Sequence, residues 1–408
     1  MPLPPLRYLD ISPVEHNGET MICFRDQEGY VEDPIVLSPL AFFIAAKLDG
    51  EREVEDIQSA FFEESGGRTL ESKEILSVVS FLEEHGFLYS QTFLNLRDRV
   101  IQEYQESEVR PAYLAGRSYP SDSTTLRQII DSFFTCGEGP GRLAAVTSSS
   151  ADRVRCVIVP HIDFDRGGPV YAHGYLPLFE GPKPDAVVVF GVAHAGASTP
   201  FVLTRKDFET PFGVVPADRM FIEEIAGKCG FDPFEDEIVH RTEHSVEFQA
   251  VMLAYHYGTS VPIVPILCGP FGSEDEPIHP EFRDSIAAFL DKCATYAGNE
   301  GKYIVVLAGA DLAHVGHRFG DEFDVDDEIL AQVLRRDEED LFAAQTGDAE
   351  TWYASVLKDG NARRVCGLNC VFSALKSAGR LRPGTLHRHS HAPDPAGGIV
   401  SFAGMTFR

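Results

Sequence analysis

Three histidines and one cysteine stand where short apolar runs end, and that placement opens a chemistry. The run RCVIVP (155–160) stops at His161, AVVVF (186–190) opens into GVAHAG with His194, and YIVVLAG (303–309) opens into ADLAHVGH with Asp311 and His314. Cys366 lies in RRVCGLNC, ahead of the helix-like VFSALKSAG. In open α/β sheets the carboxyl ends of the strands border one crevice, and ligands bind there. Imidazoles brought to such a crevice on separate loops, together with a thiolate, are donors for a divalent metal.

Each residue also has a plainer role to weigh. A single histidine at a strand end is commonly a hydrogen-bonded structural residue; two on successive strand ends ask for a shared cause. Asp163 and Asp165, just past His161, suit the orientation of an imidazole, and Gly167-Gly168 permit close backbone approach. EHSVEFQ (243–249) begins a helix on which His244 and Glu247 share a face. They are either helix-start residues, with Glu243 and Glu247 favoured by the dipole, or the rim of the crevice. The spacing is not HExxH, which argues against a zincin. His314 is the residue type best matched to acid–base work near neutrality, with Asp311 orienting it or binding metal; His317 is peripheral. At a helix start, with Arg363 and Arg364 beside it, Cys366 is expected as a thiolate. Cys370 falls in the apolar run and reads as core. HRHSH (387–391) resembles a metal tract but alternates like a strand.

The elements that must position these groups form two units. Residues 109–408 alternate strand-like and helix-like segments, which predicts an α/β domain with a mostly parallel central sheet flanked by helices, interrupted by a Gly/Ser-containing loop over 137–150. Residues 1–95 carry helical patterns over 37–50, 54–65 and 70–90, with TMICFR (20–25) and the closing FLYS suited to a small β-wing: a winged helix-turn-helix. Residues 96–108 are expected as a helical linker.

Composition narrows the partners. The 408 residues carry a net charge of −28 with no basic cluster along the sequence, which argues against nucleic acid or an anionic membrane. No apolar run approaches the ~20 residues of a membrane helix, and the amino terminus lacks a signal-peptide pattern. The eight cysteines are scattered with no CxxC pair, as expected of reduced thiols in a cytoplasmic protein.

VPHIDF, GVAHAG, EHSVE, GADLAH and VCGLNC, in that order and preceded by PAYLAGRSYPSD, resemble the Memo family, including the proteins called AmmeMemoRadiSam system protein B. The resemblance spans about residues 109–408. It implies a fold similar to class III extradiol dioxygenases, with His161, His194 and Cys366 as metal ligands, the cysteine replacing a carboxylate, and His314 as the acid–base histidine. PHIDF in place of the usual PHAGY removes an aromatic at the pocket, and GADLAH replaces a more polar SSD form; both departures bear on the substrate and not on the ligand set. The first unit, through LSPLAFFIAAKLDGEREVEDI and VVSFLEEHGFL, resembles PqqD-like peptide-recognition domains.

Two classes of function follow as expectations. One is a metal-dependent oxidoreductase, iron(II) favoured and zinc or copper compatible with the thiolate, acting on a peptide or small aromatic substrate with His314, Asp311 and His244 as catalytic residues. A zinc ion would instead favour hydrolysis. The other is a non-catalytic peptide-binding scaffold that keeps the crevice.

Overall fold

The computed structural model describes residues 2–16, 18–145, 153–227, 229–272, 277–278 and 280–408. The chain divides into two compact units, 1–107 and 108–408.

In the first unit, β1 (Asp10–His16), β2 (Glu19–Arg25) and β3 (Ile35–Leu37) form an antiparallel sheet, followed by helices α1 (Pro39–Ala45), α2 (Val54–Glu64), α3 (Ser72–Glu84) and α4 (Gln91–Glu106). Ser38 caps α1 as expected, its Oγ accepting from Ala41 N at 3.2 Å. Phe24, Ile44, Ile57, Ile75, Leu82 and Phe87 close one core. The wing differs from the expected one. TMICFR lies in β2, but its partners are β1 and β3, whereas FLYS makes a single bridge, Leu88 to Leu6. Helix α4 covers the stretch expected as a linker and belongs to this unit, with Phe93 and Tyr104 buried and the Arg7 guanidinium 3.7 Å above the Phe93 ring.

The second unit holds an eight-stranded mixed sheet. Its strands are β5 (Cys156–Val159), β6 (Ala186–Val192), β7 (Phe201–Leu203), β10 (Ile263–Cys268), β11 (Ile304–Gly309), β12 (Asp311–Val315), β13 (Thr385–Pro393) and β14 (Ile399–Phe407). They run in the order 12-14-5-11-6-10-7, with β13 paired to β14. A separate three-stranded sheet is made by β4 (Val109–Arg110), β8 (Asp207–Thr210) and β9 (Gly213–Val215). The pairings among β5, β11, β6 and β10 are parallel; β14 pairs antiparallel with β5, β12 and β13 pair antiparallel with β14, and β7 pairs antiparallel with β10. The parallel strands are the near-continuous apolar runs of the sequence because both their faces are covered.

Helices α5 (Ser123–Thr135), α6 (Phe164–Glu180) and α8 (His244–Tyr257) contribute to the core on one face. The opposite core draws on α7 (Arg219–Ala226), α9 (Pro280–Ala297), α10 (Asp327–Gln345), α11 (Ala349–Val356) and α12 (Leu368–Ser377). No helix among the described residues is long and apolar enough to cross a membrane. Of the loop expected over 137–150, residues 146–150 lie outside the described residues.

Candidate metal centre

Strand order explains how residues far apart in sequence meet. Strands β5 and β6 flank β11, so their carboxyl ends are two strand spacings apart, about 10 Å. His161 follows β5 and His194 follows β6, and they reach toward each other over the end of β11. Their ring centroids are 4.9 Å apart. The shared space exists because Gly309 ends β11: a Cβ there would meet Gln249 Nε2 and Ser245 O at 2.7 Å. Gly367 lets the loop before α12 press against Asp311 in the same way, since a Cβ would lie 2.6 Å from Asp311 O. That contact delivers Cys366, whose Sγ is 3.3 Å from His161 Nε2. The donor atoms of His161, His194 and Cys366 all lie within 4.8 Å of one another.

Both histidines are already oriented. His161 Nδ1 donates to Gly309 O at 2.8 Å, leaving Nε2 toward the thiol. His194 Nδ1 lies 3.0 Å from Glu243 Oε1, and its backbone N donates to Glu243 Oε2 at 3.0 Å. Glu243, the N-cap of α8, also accepts from Ser245 N at 2.9 Å and sits 3.2 Å from His244 Nδ1. Burial opposes ionisation of Glu243, but His194 and His244 outweigh it and hold the carboxyl well below its usual range. Burial likewise opposes the imidazolium of His194, and there Glu243 and Cys366 prevail, raising it well above the usual histidine range. Glu243 therefore does for His194 what the sequence assigned to Asp163 and Asp165 for His161. Asp163 instead caps α6, accepting from Arg166 N at 3.0 Å, and Asp165 is exposed. Gly167-Gly168 are buried inside α6 against Ile162 and Phe133 and serve packing, not ligand approach.

Asp311 is buried, its Oδ1 accepting from His161 N at 3.0 Å and its Oδ2 3.6 Å from His161 Nε2. Burial, working against hydrogen bonds from the backbone of His161 and Ile162, pushes its pKa up to about 7. Burial lowers His161 well below the usual range and takes His244 and His314 to about 4. His314 is on a strand and not the tight loop expected: after Ala310 the chain continues as β12 along β14. Its Nδ1 faces Leu312 O at 3.1 Å. His161, His194, His244, Asp311 and His314 line a cavity of about 470 Å³, whose walls include Ile162, Phe248 and Phe319.

The thiol departs from expectation. Arg363 is paired to Asp337 and Asp340, and Arg364 to Asp321, so neither charge is free for Cys366, and burial pushes that thiol up. Cys370 is core, as expected, and His317 is exposed beside Asp321. HRHSH is strand β13; His387 contacts Thr406 Oγ1 at 2.7 Å, and the tract stays outside the cavity.

Of the two alternatives for Glu247, the structure supports the helix start, in the first turn of α8, and not the rim of the crevice. Glu247 faces away from the crevice, buried against Arg110, accepting from Leu114 N at 2.9 Å and from the Tyr119 hydroxyl. Arg110 also donates to His240 O and Glu243 O, each at 2.9 Å, clamping the loop that presents Glu243. Glu243 and Arg110 are the site-positioning residues that sequence reasoning missed. An Arg that opens the PAYLAGRSYPSD segment was the available signal.

A mixed α/β unit with a His–His–Cys crevice at the ends of its parallel strands thus defines the class. Residues 110–406 match the family model described as Memo-like protein, and the chain belongs to the Memo family. A MEMO1 family protein of Aquifex aeolicus is 27% identical over 99% of both chains, so its similarity extends through the first unit. Relatives in Thermus thermophilus (26% identity over 79% of this chain and 89% of that one) and Desulfurococcus amylolyticus (31% over 50% and 69%) carry the same family name. A solved structure of an uncharacterized Escherichia coli K12 protein is similar at a TM-score of 0.35 and 14% identity over 62% of this chain and 99% of that one, too weakly to bear on the site.

Proposed function

We propose that this protein is a metal-dependent oxidoreductase of dioxygenase-like type, with one divalent ion held by His161, His194 and Cys366. Iron(II) is favoured. The observation that supports this is the convergence of three donor atoms within 4.8 Å while the second nitrogen of each histidine is engaged by Gly309 O or Glu243. Ligating histidines are characteristically oriented in this way through the other ring nitrogen. His194, Glu243 and His244 form a second close group. Glu243 is the poorer donor there, because it already serves His194 twice and Ser245.

Iron(II) on two histidines and one anionic ligand supplies O₂-dependent redox chemistry. The chain's own residues do the rest. Ile162, Phe248 and Phe319 offer apolar walls for a small aromatic group or a peptide side chain. His314, uncharged near neutral pH, accepts a substrate hydroxyl proton at Nε2, its Nδ1 facing Leu312 O. Asp311, near neutrality in its own titration, holds the His161 backbone and keeps a proton available. His244, uncharged beside Glu243, orients bound substrate.

The softness of the Cys366 sulfur favours a second reading, a zinc centre with hydrolytic chemistry. The first unit, as a PqqD-like module, would present a peptide to either. Scattered free thiols suit the cytoplasm. Oxygen uptake by the iron-loaded full chain with catechol-type and peptide substrates tests the proposal. Uptake lost in His314→Ala but with metal retained supports it; no uptake from iron-loaded protein, with ester or peptide hydrolysis by zinc-loaded protein, favours the second.

A further inference from the structure

The opposite edge of the same sheet carries a second cavity, of about 700 Å³, that the metal chemistry does not use. Its lining joins the segments entering β5 and β11 with the turn before β13 and the end of β14. These deliver Arg153, Arg155, Lys302, Arg380, Arg382 and Arg408 to one cleft, with Glu300 as the one acidic side chain. The sequence reads as free of basic clusters because these residues are scattered over some 250 positions; only the strand order gathers them.

Charge balance makes the gathering informative. The chain has 63 acidic against 35 basic side chains, so a surface arginine finds a carboxylate easily. Yet among the described residues Arg153, Arg155, Lys302, Arg380 and Arg382 form no ion pair with one. Arg153 packs over Tyr303 with its guanidinium carbon 5.0 Å from the ring centroid. Arg155, half-buried, is steadied by the carbonyls of Ala297 (3.5 Å) and Ala378 (3.4 Å). Arg382 N donates to Arg408 O at 2.8 Å, fixing the two backbones side by side. Keeping like charges together in one concavity is unfavourable unless an anion offsets them.

We infer that this cleft binds the di- or triphosphate group of a small molecule. Planar guanidinium forks match phosphate oxygens in pairs. The volume suits a small ligand, and an extended polyanion would meet the acidic remainder of the surface.

Calorimetric titration of the full chain with tripolyphosphate, orthophosphate, ADP and a single-stranded oligonucleotide tests this. Tripolyphosphate should bind more tightly than orthophosphate, weakening as salt rises. Arg155→Ala and Arg382→Ala should each weaken it about tenfold, with Arg127→Ala, outside the cleft, unchanged. ADP binding as tightly or more so identifies a nucleotide as the source, and weaker ADP binding a free polyphosphate; both uphold the site. A Cys366→Ser background should leave the affinity intact, which separates this cleft from the metal centre. Absence of tripolyphosphate binding, equal losses in Arg127→Ala, dependence on Cys366, or tighter binding of the oligonucleotide would overturn it.

Discussion

The two edges of the sheet solve opposite electrostatic problems. At the carboxyl edge, ionisable groups are buried and oriented by partners: burial lowers His161, His244 and His314 and raises Asp311, while His194 and Glu243 favour each other's charged forms. At the amino edge, the guanidiniums of Arg153, Arg155, Arg380 and Arg382 gather in one cleft and form no ion pair with a carboxylate among the described residues. The first arrangement suppresses charge by burial or balances it in a close pair; the second leaves positive charge for an anion. Burial and partners set the difference, since both edges belong to the same strands.

The largest effect should come from breaking the clamp beneath the metal centre. Arg110→Met strands the Glu247 carboxylate in the core and frees the carbonyls of His240 and Glu243. Loss of one partner of a buried pair costs about 3–5 kcal/mol, and the variant should show that loss in urea unfolding. Its surviving folded fraction should bind metal poorly yet retain tripolyphosphate affinity; a stability change below ~1 kcal/mol would show that the clamp does not carry the site.

Acid should separate the edges next. Folded His240, buried with Nε2 3.0 Å from Val202 O, is depressed by burial to about 3. In the unfolded chain a histidine takes up its proton near ~6.5. Between these values the unfolded state binds more protons, so stability falls as pH drops from ~6.5 toward 3. His244 and His314, at about 4, act in the same direction, whereas Asp311, at about 7, favours the folded state as pH falls from there. His240→Gln should flatten the acid loss of metal-free protein by up to ~2.6 kcal/mol, about two pH units of linkage, measured by unfolding at pH 7 and pH 4.5. An unchanged slope would mean that His240 is already solvated.

Glu243→Gln should be milder. It keeps the shape but removes the charge that favours the His194 orientation, and comparable changes weaken metal binding about 10- to 100-fold. Competition with a chelator measures this; unaltered affinity would demote Glu243 to a helix cap. Smallest of all, Arg382→Ala should shift stability by less than ~0.5 kcal/mol, because an exposed arginine without an ion pair contributes little to folding.

How far the sequence revealed these edges follows from the range of the interactions. The strands ending at His161, His194 and Gly309 were legible because parallel strands covered on both faces read as unbroken apolar runs. Cys366 and Asp311 were legible from their place beside glycines and strand ends. The antiparallel flank was not: GADLAH looks like a loop until β14, some 90 residues later, pairs with it. Glu243 reads as an ordinary helix cap until the strand order brings His194 against it. Arg110 and Glu247 are separated by 137 positions, and no local pattern links them. The expected thiolate failed because Arg363 and Arg364 are adjacent to Cys366 in sequence but committed to Asp337, Asp340 and Asp321 in space.

The central claim is the ligand set, and X-ray absorption on anaerobically purified, full-length protein tests it most directly. One equivalent of divalent metal is expected, with a sulfur scatterer at about 2.3 Å and nitrogen scatterers at about 2.0–2.1 Å. Cys366→Ser should remove the sulfur shell, and His161→Ala should abolish stoichiometric metal. A metal bound only by nitrogen and oxygen, with a spectrum unchanged in Cys366→Ser and His161→Ala, would contradict the account and move the ion to His194, Glu243 and His244.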